Sequence, residues 1–65
     1  MEWNWKKFNG LKVHLILKNN YEYNGVIQAV NDCGNGLIFL ELLDKFGKII
    51  VFTTEEIKFI EVKNE

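Results

Sequence analysis

From Lys12 onward, apolar side chains recur at every second position. Val13, Leu15 and Leu17 share one face of an extended segment and His14, Ile16 and Lys18 the other, which predicts a strand with one buried side. Asn19-Asn20 follows. Asparagine enters the left-handed region more readily than other non-glycine residues, so this pair predicts a tight hairpin turn. The next strand runs from Tyr21 to about Val30 with Gly25 in its middle. A glycine there weakens a flat strand but permits a bulge or a sharp bend, so that one long strand serves both halves of a small barrel. The run "NDCGNG", Asn31 to Gly36, is a dense turn signal. Leu37 to Leu43 is apolar on both faces, as a central or interface strand is. "DKFGK" predicts a second hairpin with Gly47 left-handed, and Ile49 to Phe52 returns as a strand. Thr53-Thr54-Glu55-Glu56 predicts a single helical or 3₁₀ turn, with threonine oxygens capping it and the glutamates near its amide end. "IKFIEV" supplies the last strand.

Ahead of these strands, "MEWNWKKFNG" predicts a helix of one to two turns. Asn4 caps it, Trp5 to Phe8 form the turn, and Gly10 takes the left-handed position that ends it. Trp3, Trp5 and Phe8 then pack on the open end of the sheet. The expected fold is mostly β, a single domain over residues 1–65. It has a short N-terminal helix (1–10) followed by a strongly bent five-stranded antiparallel barrel (12–63) of the SH3-like or OB-like sort.

Composition adds a surplus of apolar surface. With 65 residues, 48% of them hydrophobic and 14% aromatic, the chain holds more apolar area than so small a core encloses, which predicts self-association. The single cysteine, Cys33, allows no intramolecular bridge and suits a reducing compartment. No basic-then-apolar leader and no bilayer-length apolar run is present, so a cytoplasmic protein with no membrane partner is expected. Net charge is −1, from nine acids against eight bases, so no overall field draws the chain to nucleic acid. Every base is lysine, so guanidinium forks to phosphate or guanine edges are absent.

The order of features resembles the Sm-like (LSm) family, in which an N-terminal helix precedes a bent five-stranded SH3-like barrel. "VHLILKNNYEYNGVIQAVNDCGNGLIFL" resembles that family's first motif. Val13, Leu15 and Leu17 match the apolar positions of strand one, Tyr23 and Gly25 the aromatic and glycine of strand two, and Ile27 and Val30 later apolar positions. Asn31 stands where the family usually has Asp, unless Asp32 takes that role by a one-residue shift, and Asn35 keeps the family's Asn. The second motif would fall on "FTTEEI", where Phe52 and Ile57 fit and Thr53 and Thr54 replace Arg-Gly.

The resemblance implies a ring of six or seven copies, joined by pairing the fourth strand of one with the fifth of the next, that binds single-stranded RNA around a central pore. Carried over by position, Cys33 takes the base-stacking place, Asn35 the edge-reading place and Thr53 the arginine place. Asn31 and Thr54 complete the set, and Lys6, Lys7 and Lys12 could supply phosphate contacts. Each also has a plainer reading: Asn35 as a turn former in "GNG", Cys33 as a small turn residue, the lysines as a solvated helix face. His14 reads as a solvent or rim histidine.

Catalysis is not expected. The chain has no serine, one cysteine, one histidine, two aspartates and no glycine-rich phosphate loop, which is too thin an inventory for nucleophilic or acid–base chemistry. A lone Cys and a lone His likewise fall short of a zinc site, so neither metal nor cofactor nor small-molecule substrate is expected. The alternative to RNA binding is a non-catalytic interaction or assembly module on the same barrel, working through its apolar edges.

Overall fold

Asn4 opens the first element as expected. In the computed structural model, which describes residues 4–63, its side-chain oxygen accepts the Lys6 N–H at 3.0 Å and caps the turn Trp5–Phe8. The turn spans Trp5 to Phe8 as expected, but it is a single 3₁₀ turn in place of the helix expected over residues 1–10, and the expectations on Met1 to Trp3 lie outside the described residues. The reason for the short turn is capture by the sheet. Gly10, at φ +84°, reverses the chain; its N–H donates to the Ile27 carbonyl at 2.6 Å, and the Ile27 N–H donates to the Leu11 carbonyl at 3.0 Å. The chain is held in the ladder before a second turn can form.

The five strands are β1 (Lys12–Leu17), β2 (Glu22–Asp32), β3 (Ile38–Leu43), β4 (Ile49–Thr53) and β5 (Ile57–Val62). They form one antiparallel sheet in the order β4-β3-β2-β1-β5. β2 is its spine. The half from Glu22 to Val26 pairs with β1 and the half from Val26 to Asp32 with β3, so Val26 faces Lys12 on one side and Leu43 on the other.

This offset corrects the expectation of a closed barrel. β5 lies at the level of the first half of β2 and β4 at the level of the second, so the two edge strands are staggered. Among the described residues no ladder joins them.

The inner face carries the core. Val13, Leu15 and Leu17 are buried as the alternation predicts, together with Ile27, Leu40, Leu42, Phe52 and Phe8 from the N-terminal turn. Each fully buried leucine of this kind contributes about 1.5–3 kcal/mol. Trp5, half-buried, leans on the same cluster with its ring 5.7 Å from that of Phe8.

The irregularity in β2 is not at Gly25. Register shifts between Ile27 and Ala29, which places Gln28 in a bulge. Gly25 is needed for a different reason: a Cβ there would overlap the carbonyl oxygen of Leu43 and stand 2.8 Å from Leu42 Cδ2. The hairpins follow their turn residues. Asn20 sits at φ +75°, with the Tyr21 N–H donating to Asn19 Oδ1 at 3.0 Å, and Gly47 sits at φ +84°.

Candidate nucleic-acid interface

The loop from Cys33 to Leu37 is shaped by its two glycines and one aspartate. Asp32 Oδ1 accepts the Gly34 N–H at 2.9 Å, Gly34 and Gly36 lie at φ +93° and +77°, and the Cys33 N–H donates to the Leu37 carbonyl at 2.9 Å. Cys33 and Asn35 are exposed at its tip.

Asn31 and Thr53 are brought together from distant parts of the chain. Both pair with Phe39, from opposite sides of β3, so they stand two strand spacings apart, about 10 Å. The loop projects beyond this row, and the turn containing Thr54 packs against β3.

Both Asn31 and Thr53 direct donors to a neighbouring carboxylate. Asn31 Nδ2 donates to Glu41 Oε2 at 3.4 Å, and Gln28 Nε2 donates to Glu41 Oε1 at 3.3 Å. The bulge explains the fork: the extra residue puts Gln28 and Asn31, three apart, on the same outer face, where simple alternation would separate them. Thr53 gives both its N–H and its hydroxyl to Glu56 Oε2, each at 3.0 Å, at the start of the second 3₁₀ turn, Thr54–Glu56. The cap is a reciprocal capping box: the Thr53 side chain accepts from the Glu56 backbone N–H, as the threonine-oxygen expectation has it, and the Glu56 carboxylate accepts from Thr53 in return. The Thr53 N–H, and then its hydroxyl, hold the Glu56 carboxyl below its ordinary value.

The three lysines do not form one patch. Lys6 lines a cleft of about 640 Å³ between the N-terminal turn and the loop, with Trp5, Val30, Asp32, Gly36 and Ile38. The Lys7 ammonium lies 5.4 Å from the centre of the Phe8 ring. Lys12 lies in another cleft, where β2 passes from its pairing with β1 to its pairing with β3. Sequence reasoning missed Trp5 and Asp32 as walls of the Lys6 cleft, because only the folding of the N-terminal turn over β2 places them there.

His14 stands on the outer face between two carboxylates, its Nε2 3.3 Å from Glu22 and its Nδ1 3.8 Å from Glu61. No group of three or more metal-ligating side chains occurs among the described residues, and none of their helices is long and apolar enough to cross a membrane. The chain matches no protein-family model, no curated protein and no solved structure.

Proposed function

We propose that the chain is an Sm-like subunit that joins copies of itself into a closed ring and holds single-stranded RNA at the loops around the ring's centre. The observation that carries this reading is the pair of unlike edges that no other strand covers among the described residues. β4 exposes Ile49 and Val51 at 53% and 56%, and β5 exposes Phe59 and Val62 at 46% and 40%. Unpaired strand edges bearing apolar side chains are templates for another strand. When the two edges differ, head-to-tail pairing builds a ring if the rotation closes. The resemblance to the Sm-like family supports the same arrangement, in which the edges of a five-stranded sheet pair across copies.

In such a ring every subunit contributes one Cys33–Leu37 loop. The exposed Asn35 amide is free to read a base edge, and Lys6 stands beside the loop for a phosphate. Thr53 and Thr54 supply the neighbouring turn, without the charge that arginine would bring.

One observation favours the second reading, an assembly module that binds no nucleic acid: Glu41 engages Asn31 and places a carboxylate beside the row expected to meet RNA. Native mass spectrometry tests the assembly, with six or seven copies expected and a monomer overturning it. Anisotropy of labelled oligo-uridine and oligo-adenine across a salt series tests the ligand. A ring that binds neither at low salt leaves the assembly module standing.

A further inference from the structure

A groove lies on the outer face around Val26, the residue of β2 that both ladders share, away from the Cys33–Leu37 loop. Val26 and Leu43 form its floor, and its walls carry Lys12 from the start of β1, Lys45 from the β3–β4 hairpin and Lys63 from just beyond β5. Register assembles them. The Lys63 N–H donates to the Lys12 carbonyl at 2.8 Å, Lys12 pairs with Val26, and Val26 pairs with Leu43, two residues before Lys45. A chain of net charge −1 thus lines one groove with lysines from three distant segments.

Asp44 also lines the groove and brings one negative charge against its three lysines; its Oδ1 accepts the Phe46 and Lys48 N–H groups at 2.8 and 2.9 Å, which ties that oxygen to the hairpin turn. Asn24, Asp44 and Lys45 are shared with an adjoining cleft that Glu22, Tyr23 and Phe46 border. Phe46 is 78% exposed, and the Lys45 ammonium lies 5.4 Å from the centre of its ring.

We propose that this groove binds the backbone of a single-stranded nucleic acid, with Lys45 and Lys63 facing phosphates and the Phe46 ring stacking on a base. Lysines along a track with an open aromatic face at one end are the combination that holds single strands irrespective of sequence. An acidic peptide would use the lysines and leave the exposed ring without a role. The inference rests on the nucleic-acid reading above for its class of ligand, but it places the contact on a different surface, so the two can fail separately.

The test is anisotropy of labelled oligo-uridine with the full chain across a salt series, comparing the double variant Lys45→Gln/Lys63→Gln, Phe46→Ser and Asn35→Ala. Removing two phosphate contacts lowers the slope of log K against log salt by about 1.4. Phe46→Ser weakens binding at least about fivefold and leaves the slope unchanged. These changes uphold the groove whatever Asn35→Ala does: a loss in Asn35→Ala as well keeps the loop's part beside it, and no loss there removes the loop's part alone. The groove is overturned if both of its variants match the parent while Asn35→Ala weakens binding, and the loop reading then stands alone. Absence of binding by the parent at low salt removes both. Competition by poly-glutamate that is as strong as by oligo-uridine, and indifferent to Phe46→Ser, also overturns the groove in favour of an acidic protein partner.

Discussion

Gly25 of β2 lies against the backbone carbonyl of Leu43 at the end of β3, so close that a Cβ on Gly25 would occupy the oxygen's place. The glycine serves close approach of two strands and not an unusual backbone angle. Leu43 pairs with Val26, so any retreat of its carbonyl pulls on the β2–β3 ladder at its end. Gly25→Ala is expected to cost about 1–3 kcal/mol, and Gly25→Val more, enough to unfold or monomerise a chain of this size. Urea denaturation and size-exclusion profiles identical to the parent's would show that the strands part freely there.

Glu56 makes stability depend on pH in a defined direction. Its carboxyl titrates below the ordinary value because the Thr53 N–H and hydroxyl favour the charged form. A depressed carboxylate contributes stability that is complete above the unfolded value, about 4.3, and is lost as pH falls through the lower folded value. Glu56→Gln is therefore expected to melt below the parent at neutral pH, with the gap narrowing in the acid range. A gap that does not change with pH in thermal melts would refute the carboxylate cap.

Asn31 and Asn35 should separate when each is changed to alanine. Asn31 is tied to Glu41 on the outer face and Asn35 is exposed at the loop tip. Both variants should keep stability within about 0.5 kcal/mol of the parent. Under the RNA reading, Asn35→Ala alone weakens oligo-uridine binding, by about three- to tenfold for one lost hydrogen bond. Equal losses from the two variants, read by anisotropy, would contradict the assignment.

The edges offer a third kind of change. Val51→Lys on β4 or Phe59→Lys on β5 places a charge where a second copy's strand would lie. Native mass spectrometry is expected to show monomers for either variant, with folding cooperativity retained in urea because both side chains are exposed. A persisting ring would mean that copies meet elsewhere.

The core itself makes a simpler claim. Leu40 is fully buried on β3, opposite Val30, and Leu40→Ala should cost about 2–5 kcal/mol in denaturant unfolding. A loss under about 1 kcal/mol would place the centre of packing away from β3.

Amino-acid order alone determined the inward face of β1, the cap at Asn4, the left-handed positions at Asn20 and Gly47 and the turn at Thr54. These depend on neighbouring residues, through alternation, on the φ values a side chain tolerates and on hydrogen bonds spanning a few positions. Folding in three dimensions decided the rest. It moved the bulge to Gln28, gave Gly25 a neighbour in Leu43, tied Asn31 to Glu41, left β4 and β5 unjoined, and drew Lys12, Lys45 and Lys63 into one groove. All of these follow from register between strands far apart in the chain. Register is chosen by which side chains fill the common interior, and no local pattern carries that information.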